Sequence, residues 1–203
     1  MPTIDDVTII NTNTAEAKTV DSGLERTICG DSLCGSKNLT VYRRTVSEGH
    51  QFGVHAGDDY HLLYVMATSK EGYISYNGEI IPAEEGAGVL LALGEPAQFE
   101  ASGSDMELLH MVTPTPPSSI EEGLTGGPGY LFNRETLRVL TDASGGRVRR
   151  FCAESTVRLL DGSRLTPTNA IQAGEMHYHE GGSSPYHQHV GTDANPTGPD
   201  HCY

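Results

Sequence analysis

Glycine and proline interrupt this chain so often that no long regular element fits between them. The 203 residues include 24 glycines and 11 prolines. Between the breaks lie short apolar or β-branched runs at even spacing, the pattern of sandwiches and barrels rather than of helical folds. Val7–Ile10, Leu39–Tyr42, Thr45–Val46, His61–Met66, Gly72–Tyr76, Glu79–Pro82, Gly88–Leu93 and Leu108–Val112 all read as strands. Asn77-Gly78 sits between two of them and is a strong hairpin signal. An all-β fold is expected.

The clearest change in composition runs from Thr113-Pro114-Thr115-Pro116-Pro117 to Gly129, where proline favours a stiff, extended spacer. Four parts follow from it: an N-terminal arm over 1–38, a β-unit over 39–113, a Pro/Gly-rich linker over 114–129 and a second β-unit over 130–203. Tyr130–Leu140 reads either as a short helix capped by Asn133 or as an opening strand. Arg147–Leu160 and Ala170–Glu180 read as strands.

A net charge of −14 argues against a nucleic-acid partner, which needs clustered Lys and Arg to displace counterions. No apolar run approaches the roughly 18 residues of a membrane span, and no charged-then-apolar leader opens the chain. The four cysteines, Cys29, Cys34, Cys152 and Cys202, lack metal-site spacing and disulfide density. They read as reduced thiols in a cytoplasmic protein, although Cys29 and Cys34 are near enough in sequence to pair.

Five of the nine histidines fall in the last 27 residues: His177, His179, His187, His189 and His201. His187 and His189 are two apart, so on a strand both imidazoles leave the same face and can converge on one ion. A metal centre on a strand and a polar, His-rich chain end both satisfy that pair taken alone. His177 and His179 share a face with Glu175, while Met176 and Tyr178 on the opposite face are expected to form barrel interior. If the first face points inward instead, the two histidines are placed for proton transfer.

An internal repeat links the two halves. With Glu48-Gly49 set against Glu180-Gly181, His55 falls opposite His187 and Gly57 opposite His189. His61 then falls opposite His201 across a longer loop in the second copy.

These residues resemble the cupin superfamily. Gly181, five residues and His187-Gln188-His189 match the opening of its first motif, and Gly49, five residues, His55-Ala56-Gly57, three residues and His61 follow the same spacing. Gly86, five residues, Ala92-Leu93-Gly94, two residues and Ala97 keep the glycines of its second motif but not its ligand. The resemblance implies tandem jelly-roll barrels. The first would have lost its metal, retaining only His55 and His61 of four ligand positions, and the second would be incomplete in this chain. It further implies that His187, His189 and His201 hold a divalent metal, Fe(II) ahead of Mn, Ni, Co or Zn. A metal-dependent enzyme of the dioxygenase kind acting on a small anionic substrate is expected, with isomerase or lyase chemistry behind it and a non-catalytic binding or dimerisation protein as the alternative. Exposed edges of an unfinished barrel would favour a homodimer.

Overall fold

The computed structural model describes residues 10–68, 71–115, 127–137, 139–141, 146–152, 171 and 173–180. His187, His189 and His201 lie outside the described residues, as does nearly all of the strand expected at Val7–Ile10. No described helix is long and apolar enough to cross a membrane.

Strands β1 (Lys18–Val20) and β2 (Gly23–Cys29) come first, followed by a single helical turn, α1 (Asp31–Cys34). Next are β3 (Thr40–Val46), β4 (Gln51–His55), β5 (Asp59–Ala67), β6 (Tyr73–Tyr76), β7 (Glu79–Pro82), β8 (Ala87–Leu91), β9 (Pro96–Glu100) and β10 (Met106–Pro114). Past the Pro/Gly-rich stretch come β11 (Tyr130–Asn133), β12 (Val139–Thr141), β13 (Arg147–Cys152) and β14 (Ala173–His177). They form a seven-stranded sheet in the order β1-β2-β3-β10-β5-β8-β11, a four-stranded sheet β4-β9-β6-β7 and a three-stranded sheet β12-β13-β14. Every described pairing is antiparallel.

The first two sheets face each other across one apolar core. Ile74, Ala97 and Phe99 enter it from the four-stranded sheet, and Val46, Leu63, Val65, Val89, Leu91, Met106 and Leu108 from the seven-stranded one. The β6–β7 hairpin closes on Asn77-Gly78, with φ of 48° and 81°. Both central residues of this two-residue turn must be left-handed for its twist to match the strands, and Asn and Gly tolerate that region best.

β5 reads Asp-Tyr-His-Leu-Leu-Tyr-Val-Met-Ala without polar alternation because both its faces are covered. Leu63 and Val65 point into the barrel, while Tyr60, Leu62, Tyr64 and Met66 point out. On that outer face a second core holds Leu90, Phe132, Leu137, Phe151, Cys152 and Ile171. The ring of Phe151 lies between two others, 4.6 Å from Tyr64 and 5.1 Å from Phe132, both nearly parallel. The three-stranded sheet therefore docks on the outside of the barrel.

Three sequence expectations are resolved here. Tyr130–Leu140 is both strand and turn: β11 pairs with β8, then Asn133 caps a 3-10 turn over Arg134–Thr136 by accepting from the Glu135 N–H at 2.9 Å. β11 lies beyond the spacer, yet its hydrogen bonds make it an edge of the seven-stranded sheet. Met176, expected in a barrel interior, is 47 % exposed and Tyr178 only half-buried. The cause is register. Glu175 pairs with Arg149 and its carboxylate is drawn to Tyr64, which turns Met176 to the other side.

Candidate functional site

In the barrel, the positions that the sequence motif assigns to metal differ in backbone and burial. β4 ends at His55, whose side chain is exposed and whose Nδ1 accepts the Gly57 N–H at 3.1 Å. Gly57 is not on a strand. Its φ is 44°, Asp59 donates to the carbonyl of Ala56 at 2.8 Å, and Gly94 donates to that of Gly57 at 2.9 Å. A histidine restored there would face both a left-handed backbone and a turn. Ala97 is buried without a donor atom. Among the described residues no three His, Cys, Asp or Glu side chains converge as metal ligands. Two of the four positions in this barrel, Gly57 and Ala97, thus carry no donor atom.

What occupies its interior instead is a hydrogen-bonded relay. Strand alternation carries Met106, Leu108 and His110 inward along β10, and His110 is 3 % exposed. Arg44 Nε donates to His110 Nδ1 at 2.9 Å, and His110 Nε2 lies 2.8 Å from His61 Nδ1. Arginine can only donate, so His110 Nδ1 must be bare and a neutral ring carries its proton on Nε2. That proton is donated to His61 Nδ1, which leaves His61 with its own proton on Nε2. One obligate donor thus sets both tautomers. The Arg44 guanidinium pairs with Glu25 and stands 4.7 Å from the ring centroids of both Tyr42 and Phe52.

Electrostatics agree with neutral imidazoles. Burial holds His110 well below its usual 6.5, and the Arg44 charge and His61 add to that effect. Burial also lowers His61; Asp59 opposes this, while Arg44 and His55 reinforce it. Among the described residues nothing accepts from His61 Nε2. The arrangement offers an N–H backed, through His110, by a charge-neutral Arg–Glu pair, suited to an oxygen acceptor on a small molecule.

A second cluster ties the outer face to β14. Glu175 Oε1 accepts from the Tyr64 hydroxyl and from Arg134 Nη1 at 3.2 Å, and its Oε2 lies 3.3 Å from His177 Nε2. Arg134 also contacts Glu85 and Glu135, each at 3.1 Å. Burial would raise the Glu175 carboxyl, but the hydrogen bonds from Tyr64, His177 and Arg134 outweigh it and the net shift is downward. Burial and the Glu175 hydrogen bond push the Tyr64 phenol up. His177 and His179 are both exposed, and only His177 meets the carboxylate.

Sequence spacing points to His55 and His61 and misses Arg44, His110, Glu25, Tyr42 and Phe52. A histidine at an inward position of an otherwise apolar strand is the available sign for His110. Nothing local marks Arg44 as its partner.

No protein-family model matches the chain, and no curated protein matches it in sequence. Solved structures do resemble it. A Pseudomonas aeruginosa protein named for induction by glyoxylate superposes with a TM-score of 0.55 at 13 % identity, covering 68 % of this chain and 53 % of its own. The Escherichia coli protein Ylba superposes with a TM-score of 0.54 at 11 % identity, covering 73 % of this chain and 64 % of its own. The chain thus spans about half the length of the first. Two antiparallel sheets packed across one core, in a chain that superposes on these structures, give it an all-β, cupin-type barrel fold.

Proposed function

We propose that the chain is a metal-dependent cupin enzyme whose chemistry belongs to its second β-unit, with the first barrel serving as a metal-free support. The supporting observation is the turn at Gly57 together with the His110–His61 hydrogen bond, which leaves the first barrel no set of converging ligands. The remaining histidines at motif spacing are His187, His189 and His201. A divalent metal held by three neutral imidazoles would keep its full positive charge and favour an anionic small-molecule substrate or an acidified water. Fe(II) with dioxygenase chemistry is the most specific form of this reading, and Mn, Ni, Co or Zn with isomerase or lyase chemistry is the broader one. His177, hydrogen-bonded to Glu175, and His179 are the groups at hand to move a proton beside such a centre.

Metal analysis of the purified chain tests this directly. About one divalent ion per chain is expected, lost on His187→Ala and retained on His61→Ala. Metal-free protein, or an ion lost with His61 rather than His187, overturns the proposal. One observation favours a second reading, in which the first barrel binds an uncharged or anionic oxygen ligand without turnover: the His61 Nε2–H meets no acceptor among the described residues.

A further inference from the structure

The connection from β2 to β3 holds two thiols in contact. Cys29, the last residue of β2, is 6 % exposed, and Cys34, the last residue of α1, is exposed to solvent. Their Sγ atoms lie 3.5 Å apart. Cys34 Sγ also accepts from the Gly30 N–H at 3.5 Å and donates to the Gly30 carbonyl at 3.3 Å, which keeps it aimed back at the strand. α1 is one turn with no buried residue, so little packing opposes its movement. Closing from contact to the roughly 2.05 Å of a sulfur–sulfur bond needs a shift of about 1.5 Å.

We propose that Cys29 and Cys34 are a modification site, a dithiol that a hydroperoxide converts reversibly to a disulfide. The exposed Cys34 thiolate attacks the hydroperoxide. A sulfur–oxygen bond forms, the oxygen–oxygen bond breaks, and the alcohol leaves with the thiol's proton. Cys29 sulfur then attacks the Cys34 sulfenic acid. The sulfur–sulfur bond forms and water leaves. Two thiols have given two electrons, and one hydroperoxide has become one alcohol and one water. The accessible thiol meets the oxidant and the sheltered one resolves it, the division that reversible thiol chemistry requires.

Cys152 supplies the contrast. It is fully buried, donates to the Ile171 carbonyl at 3.3 Å, and burial pushes its thiol up to about 12. It is kept out of this chemistry. The pair's location gives the modification a consequence. Thr40, which ends the connection, pairs with Val112, and Val112 pairs with His61. The disulfide would fasten the end of the barrel at which the His61 N–H lies.

The test uses the full chain, reduced and then treated with one equivalent of hydrogen peroxide, with intact mass and peptide mapping. The expected product has lost two hydrogen atoms, contains a Cys29–Cys34 cross-linked peptide and reverts with dithiothreitol. In Cys34→Ser the mass loss should vanish. In Cys29→Ser, Cys34 should be captured as sulfenic acid by dimedone. Cys34 going to sulfinic acid in the unaltered chain with no cross-link, or linking to Cys202 instead, overturns the proposal.

Discussion

The seven-stranded sheet has two faces, and they are held by different means. Its inner face is aliphatic, with Val46, Leu63, Val65, Val89, Leu91 and Leu108 meeting Ile74 and Phe99, and its main polar feature is the Arg44–His110–His61 relay. Its outer face stacks Tyr64, Phe151 and Phe132 and adds the Arg134–Glu175–Tyr64 clamp. Inward positions need only fill volume, so Ala97 can stand buried at a ligand position without loss of the barrel. Outward positions must grip another sheet, which takes flat rings for contact area and a charged hydrogen-bonded pair for register.

The largest test of that contrast truncates one aromatic on each face. Phe99→Ala should cost about 3–5 kcal/mol and loosen the whole barrel, because Phe99 is fully buried in a close-packed core. Phe151→Ala should release β12–β14 and leave the barrel folded. Amide hydrogen exchange separates the outcomes. Phe99→Ala should expose the amides of Leu63 and Leu108 along with those of Val148 and Glu175, whereas Phe151→Ala should expose only the latter two. Simultaneous loss of all four in Phe151→Ala would mean that the two faces are one cooperative unit.

The relay gives a smaller effect that depends on pH. His110 and His61 titrate below 6.5 when folded and near 6.5 when unfolded, so on acidification the unfolded chain takes up protons first. Stability is therefore complete above 6.5 and is lost progressively as pH falls below it. For His110 the loss reaches at most about 1.4 kcal/mol one pH unit below its unfolded value, since one extra proton on the unfolded chain is worth about 1.36 kcal/mol for each pH unit crossed. His61, more open to solvent, contributes less. Urea unfolding at about pH 7.5 and 5.5 should show this drop in the natural chain and a smaller one in His110→Gln. An equal drop in both would place the pH sensitivity elsewhere.

Local rules make some of this architecture readable in advance. Asn77-Gly78 announces its hairpin because few other pairs accept two left-handed residues in succession, and evenly spaced short runs announce the β-fold. Non-local choices are not readable. Nothing within Tyr130–Asn133 reveals that it will cross the proline-rich stretch to pair with β8. Arg44 and His110 are 66 residues apart, so their contact exists only once β3 and β10 are in register. His55-Ala56-Gly57 has the spacing of a strand motif, yet the left-handed Gly57 bends it into a turn. Met176 falls outside the barrel interior because alternation fixes which residues share a face but not which face is covered. The Tyr64–Glu175 contact decides that, and it too comes from distant strands.

The finest test concerns that contact. Tyr64→Phe removes the hydroxyl donor to Glu175 but keeps the ring stacked on Phe151. The carboxylate retains Arg134 at 3.2 Å and His177 at 3.3 Å, so it is not stranded without partners. The expected loss is about 0.5–1.5 kcal/mol, the net worth of one hydrogen bond whose acceptor stays satisfied. The Glu175 carboxyl, now with one donor fewer, should titrate closer to the ordinary 4.5. Urea unfolding and a carboxyl-detected NMR titration measure the two effects separately. A loss above about 3 kcal/mol would show that the hydroxyl, rather than the aromatic stack, bears most of the docking energy. An unmoved Glu175 titration would show that Arg134 and His177 set the charge state without the hydroxyl, and the register of β14 would then rest on ion pairing open to salt screening.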